Sequence, residues 1–120
     1  AFAEVQDFID TPLKFYSSGM LMRLAFSTGM FANGDVYIFD EILAVGDANF
    51  QKKCFDSFKN LIKNKKTIIL ITHDLETVSK YATRVLLLNG KNHKIIDDIT
   101  KIKQMGESTF DDIYISEGLI

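Results

Sequence analysis

The sequence predicts an α/β fold with helices packed around a mostly parallel sheet, and three observations predict it. VYIFD at 36–40 and TIILIT at 67–72 are short apolar runs rich in β-formers, the pattern of strands covered on both faces. Helical periodicities stand before, between and after them, so strands and helices alternate. Both runs end abruptly in polar residues, Asp40-Glu41 and Thr72-His73-Asp74, and parallel sheets collect ligands at the carboxyl ends of their strands.

Each element has its own signal. Over residues 4–10, Val5, Phe8 and Ile9 fall on one helical face, and Asp10-Thr11-Pro12 ends the pattern. From Ser17 to Phe31, Met20, Leu21, Leu24, Ala25, Thr28 and Phe31 recur at steps of three and four, which predicts a helix. Asn33-Gly34-Asp35 is a turn. A helix is expected over 48–63, capped by Asp47, with Phe50, Cys54, Phe58, Leu61 and Ile62 as its buried stripe. HDLETVSKYA reads as a short helix with Asp74 as its cap. RVLLLNG, 84–90, is a third strand ending in a turn, and HKIID, 93–97, is a candidate fourth. Beyond residue 98 the pattern loosens, with a weak helix over 108–115 that turns Phe110, Ile113 and Tyr114 inward.

Composition bounds the class. The chain has 120 residues, 47% hydrophobic and 25% charged, which suits a small globular domain. A net charge of −2 gives no bulk attraction to nucleic acid or to an anionic membrane. No apolar run approaches the roughly 20 residues of a membrane span. The single cysteine, Cys54, stands beside Phe55 and has neither a disulfide partner nor metal-ligand spacing, so a buried reduced thiol in a cytosolic setting is expected. The chain opens at AFAEVQDFID, inside a helical pattern and without a methionine, which makes a piece of a longer protein the expectation.

Three polar clusters can carry chemistry. An acid after an apolar strand can hold Mg²⁺, usually through water, and a neighbouring acid can orient or deprotonate an attacking water. Asp40 and Glu41 fit these roles, while capping of the next loop is the plain structural alternative. The imidazole of His73 can bond a phosphate oxygen or, equally, the backbone. Ser17, Ser18 and Gly19 oversupply a helix start. Such an end offers free N–H groups and partial positive charge, and glycine admits close approach of an anion. Plain N-capping is the alternative there too.

Taken together, these pieces resemble the ATP-binding cassette (ABC) ATPases that drive membrane transporters. YSSGM, 16–20, is similar to the signature loop, usually Leu-Ser-Gly-Gly-Gln, and Arg23 matches the arginine that often follows it. VYIFDE, 36–41, looks like the Walker B strand with its catalytic glutamate; AVGD, 44–47, stands where the D-loop should be; His73 is in the switch-histidine position. YSSGM…RLAF, DEILAVGDANFQKKC and THDLETV look most like the subunits that power export of cell-surface polysaccharides and teichoic acids, with the resemblance running over about residues 1–97. It implies a partial P-loop NTPase-like domain: 1–32 from the helical signature subdomain, 33–97 from the ATPase core, and 98–120 as a C-terminal tail. It implies ATP and Mg²⁺ as cofactors, Asp40 for the metal, Glu41 and His73 as catalytic residues, and Ser17, Ser18, Gly19 and Asp47 as nucleotide contacts. The implied partners are a second ATPase subunit, head to tail, and transmembrane permease subunits, with no nucleic acid. The implied place is the cytoplasmic face of the membrane.

There are departures. Ser18 replaces the first signature glycine and Met20 the glutamine, and Gly46 implies a D-loop more flexible than usual. No Gly-x-x-x-x-Gly-Lys-Ser/Thr loop occurs, and NGKN at 89–92 lacks the preceding glycine. The chain therefore resembles the C-terminal half of the domain. Alone it is expected to be inactive, and poorly soluble or partly unfolded because apolar sheet is left uncovered. Two alternatives stand beside the transport reading. One is a DNA-repair, chromosome or translation ABC ATPase, although residues 1–16, with Pro12 among them, show no heptads. The other is a non-catalytic truncated half that only binds a partner.

Overall fold

The computed structural model describes residues 2–41, 46–104 and 109–119. The chain divides into two compact units, Ala1–Ile71 and Thr72–Ile120. Its strands form two separate two-stranded sheets, one in each unit.

The first unit opens with an irregular segment. In place of a helix over 4–10 there is one 3₁₀ turn, Gln6–Phe8, followed by another, Leu13–Phe15. Glu4 takes a left-handed φ of 57°, which stops a right-handed helix from starting, and Pro12 blocks its continuation. Of the expected face only Val5 is buried; Phe8 and Ile9 are 47% and 69% exposed. The Tyr16 hydroxyl donates to the Phe8 carbonyl at 2.6 Å and folds the segment back, so that Ala3, Val5 and Tyr16 pack on Met20 and Leu24.

Helix α1, Ser18–Phe31, begins where Ser17 Oγ accepts the Met20 N–H at 3.2 Å. Its buried face differs from the expected stripe. Phe26 and Ser27 are buried, whereas Leu21, Ala25, Thr28 and Phe31 are exposed. The helix is apolar on several faces, so spacing alone admits more than one rotation, and the aromatic core selects the face with Phe26. Ser27 and Thr28 fit within it because their hydroxyls donate to the Arg23 and Leu24 carbonyls at 2.6 and 2.9 Å.

Strand β1, Val36–Asp40, pairs in parallel with β2, Thr67–Ile71, in a register running from Val36 opposite Thr67 to Asp40 opposite Ile71. Tyr37 secures the entry to β1: its hydroxyl donates to the Ala32 carbonyl at 2.7 Å. Phe39 is buried on the inner face. The outer face is not covered by the described residues, since Val36, Ile38, Ile69 and Ile71 are exposed, contrary to the two-sided cover that the sequence suggests. Helix α2, Ala48–Lys63, is capped by Asp47 and buries Phe50, Cys54, Phe58 and Leu61. Ile62 is 41% exposed, because one residue past Leu61 the helix has turned by about 100°.

The second unit begins with helix α3, Leu75–Tyr81, capped by Asp74. Strands β3, Val85–Asn89, and β4, Asn92–Ile96, form an antiparallel hairpin closed at Gly90, whose φ of 59° favours glycine. Among the described residues the α/β fold is therefore mixed, with one parallel pair and one antiparallel pair where the sequence suggests a mostly parallel sheet. The reason is the link between β3 and β4, which is far too short for a parallel crossover. Helix α4, Thr100–Gln104, has no counterpart in the sequence expectation. Helix α5, Phe110–Ser116, matches the weak helix expected there and starts at a reciprocal Thr109–Asp112 cap. Leu87, Ile96, Ile102 and Ile113 make this unit's core, and the Tyr114 hydroxyl donates to the Leu88 carbonyl at 2.9 Å.

Cys54 is wholly buried, and desolvation pushes its thiol up to about 11. A thiol reagent at pH 8 is expected to leave the folded chain unmodified and to label Cys54 fully in denaturant. Complete labelling without denaturant would show that α2 does not seat on its core.

Candidate functional site

The carboxyl end of β1 carries two acids in different backbone states. Asp40 is the last strand residue and its side chain is exposed. At Glu41 the chain turns: φ is 52°, in the left-handed region. Its N–H still donates to the Ile71 carbonyl at 2.9 Å, extending the ladder one residue beyond Asp40. A side chain in this region costs about 1–2 kcal/mol, and such strain is held where neighbouring structure over-determines it. The turn breaks the strand alternation that would send the two carboxylates to opposite faces. Among the described residues no group of three or more His, Cys, Asp or Glu could hold a metal. The exposed Asp40 carboxylate is one hard oxygen donor, the chemistry that suits a cation such as Mg²⁺, which takes one or two carboxylates and completes its shell with phosphate and water.

The start of α1 fits an anion. Ser17 Oγ takes the Met20 N–H and the Ser17 carbonyl takes the Leu21 N–H. The amides of Ser18 and Gly19 have no partner among the described residues. Both residues are exposed, and a Cβ placed on Gly19 meets nothing within 4 Å, so a phosphate oxygen has room to approach. Arg23 stands one turn further on, half-buried, with its Nε shielded from solvent and without a hydrogen-bond partner.

Ala44 and Val45 of the AVGD stretch lie outside the described residues. Gly46 and Asp47 are described, and the position of Gly46 admits only a glycine without strain. Its φ is 81°, a Cβ added to it would lie 3.0 Å from the fully buried Phe50 ring, and its carbonyl accepts from Gln51 Nε2 at 3.1 Å. This backbone angle and the nearby ring leave no room for a side chain at position 46. Asp47 Oδ1 accepts the Phe50 N–H at 3.0 Å, so one carboxylate oxygen is engaged as the α2 cap.

His73 is exposed and belongs to the second unit, between Thr72 and Asp74. The Asp74 carboxylate accepts the Glu76 and Thr77 N–H groups at 3.1 and 3.2 Å, and the Thr77 hydroxyl as well. The Thr77 hydroxyl foremost, then the two amides and the nearby His73, hold the Asp74 carboxyl below its ordinary range. Sequence reasoning placed Thr72 in the strand-end cluster without giving it a role, and it did not single out Gln51. The Thr-x-Asp spacing is the signal that could have found Thr72, because it permits a hydroxyl-closed turn.

No protein-family model matches the chain. Similarity to curated proteins is extensive. The chain is 44% identical over 90 residues to the O-antigen export system ATP-binding protein RfbB of Myxococcus xanthus, covering 75% of this chain and 21% of that protein. It is 42% identical over 104 residues to the teichoic acids export ATP-binding protein TagH of Shouchella clausii, covering 86% and 29%. With RfbB of Klebsiella pneumoniae it shares 40% identity over 94 residues, 78% of this chain and 37% of that one. The chain therefore spans about a fifth to two-fifths of the length of these relatives.

Gly46→Ala is expected to destabilise the first unit by about 2–4 kcal/mol, combining a left-handed alanine with a crowded Phe50 ring. Denaturant unfolding read by circular dichroism measures it. Asp74→Ala is expected to cost about 1 kcal/mol at neutral pH through loss of the cap. A depressed folded-state pKa contributes stability above the ordinary carboxylate range and loses it as pH falls through the folded value. The gap between wild type and Asp74→Ala should therefore shrink as denaturation is repeated toward pH 2.

Proposed function

The chain belongs with the ATP-binding proteins of ABC export systems, and on that premise we propose that it forms part of the nucleotide-hydrolysing core of a subunit that powers export of a cell-surface polysaccharide or teichoic acid. The observation that carries this reading is Asp40-Glu41 at the carboxyl end of a parallel strand, with Glu41 in a left-handed turn, inside a sequence so close to export ATPases. The non-transport ABC ATPase is less favoured because the relatives named above are export proteins, and the presence of Asp40, Glu41 and His73 argues against a degenerate half though not against a truncated one.

On this reading residues 1–32 belong to a signature subdomain, 33–97 to the ATPase core and 98–120 to a C-terminal tail. Asp40 would hold Mg²⁺, which would supply positive charge to offset that of the nucleotide phosphates. Glu41 accepts the proton of the attacking water. The Ser17 and Ser18 hydroxyls, with the Ser18 and Gly19 amides, donate to the γ-phosphate of a nucleotide carried by a second, head-to-tail ATPase subunit. His73 donates to the γ-phosphate bound on its own side, and Asp47 reports across the interface. ATP favours the closed dimer over the open one, and that difference drives transmembrane permease subunits from the cytoplasmic face. No described helix is long and apolar enough to cross a membrane. The relatives are longer than this chain, and the uncovered face of Val36, Ile38, Ile69 and Ile71 is a surface that further chain would cover.

In the complete ATPase subunit, Glu41→Gln is expected to lower kcat for ATP hydrolysis by about 10²–10⁴-fold while ATP binding persists. Unchanged turnover would remove Glu41 from the reaction. The 120 residues alone are expected to show no turnover.

A further inference from the structure

The hydrogen bonds around His73 include one that the proposed function does not use. Thr72 Oγ1 accepts the Asp74 N–H at 3.0 Å. That bond spans His73 and closes a turn with the histidine at its apex. On the far side Asp74 is fixed by three bonds from α3, two from amides and one from the buried Thr77 hydroxyl. These three suffice to cap the helix, and the Thr72 hydroxyl adds nothing to that cap. Its one described side-chain bond constrains residues 72–74 alone.

We propose that Thr72 is a positioning residue for His73: its hydroxyl closes the turn that fixes the backbone from which the imidazole projects. The inference rests on the reading of His73 as a phosphate contact. A backbone left open at residues 72–74 would have to be ordered on each turnover. A turn closed before the nucleotide arrives removes that cost. Valine has the same branching at Cβ and keeps the strand geometry, but it offers no acceptor to Asp74. Serine keeps the acceptor. The Asp74 N–H then divides the variants cleanly, bonded in wild type and Thr72→Ser and open to water in Thr72→Val.

The test is ATP hydrolysis by the complete subunit carrying Thr72→Val, Thr72→Ser, His73→Ala or the Thr72→Val/His73→Ala pair, with hydrogen exchange at the Asp74 amide in each. Thr72→Val is expected to lower kcat about 10-fold with the KM for ATP little changed. Thr72→Ser should stay within about twofold of wild type, and Asp74 exchange should rise only where the hydroxyl is lost. On the His73→Ala background, Thr72→Val should cause no further loss. Should Thr72→Val fold poorly, Thr72→Ala against Thr72→Ser makes the same comparison. Full turnover in Thr72→Val beside a crippled His73→Ala overturns the positioning role and leaves the phosphate contact standing. A Thr72→Val loss that persists on the His73→Ala background makes Thr72 merely structural and also overturns it. An active His73→Ala overturns the phosphate contact itself.

Discussion

The first unit depends on the burial of one side chain, Phe39. It is buried on the inner face of β1, with its ring 5.6 Å from Phe58 in an edge contact, 6.1 Å from Phe26, and stacked on Tyr37. Strand side chains alternate, so seating Phe39 inward sends Asp40, its neighbour, to the opposite face. A slip of one residue would exchange them and push a carboxylate into an aromatic core. The exposure of Asp40 is therefore a consequence of packing. The parallel register to β2 then carries the ladder one step further, to the Glu41 amide.

The same rings reach the other motif-bearing ends of this unit. Phe26 of α1 lies 6.1 Å from Phe39 and 6.1 Å from Phe50 of α2. Phe26 fixes the rotation of the helix that starts at Ser17. Phe50 fixes Gly46 by contact and leaves its N–H to the Asp47 cap. The helix start, the strand end and the α2 cap are thus each tied to one aromatic cluster. A core substitution in that cluster would be felt at all three, because interiors at this density transmit volume changes.

Local chemistry was legible in the sequence where one residue decides the outcome. Ser17, Asp47 and Asp74 cap the helices they precede, since a short side chain with an acceptor has few alternatives there. Strands 36–40 and 67–71 were legible from continuous apolar runs. Less legible were choices that depend on distant partners. The face of α1 was ambiguous because too many of its positions are apolar. The hairpin of β3 and β4 was hidden because the sequence shows strands before it shows their direction. Phe8 and Ile9 looked like a helical face, but a left-handed Glu4, paired with Lys53 at 2.6 Å, prevents the helix. The crowding that excludes a side chain at Gly46 was not legible, because the Phe50 ring responsible comes from the following helix.

Hydrogen-bond accounting distinguishes two kinds of polar residue among those that the sequence singles out. Asp47 and Asp74 have acceptors engaged by helix amides, so their local role is met by the fold itself. Ser18, Gly19 and Asp40 differ: no described partner satisfies the two amides or the carboxylate. All three are exposed, so water satisfies them at little cost in the free protein and a ligand can take its place. Ser17 belongs to both kinds, with its oxygen engaged as a cap and its hydroxyl proton still available to donate. Arg23 is in a harder position. Its Nε is shielded from water and has no partner among the described residues, which carries a desolvation cost. Capping accounts for Ser17, and the open Ser18 and Gly19 amides are those that any helix start leaves to water, but neither accounts for the arginine one turn above them.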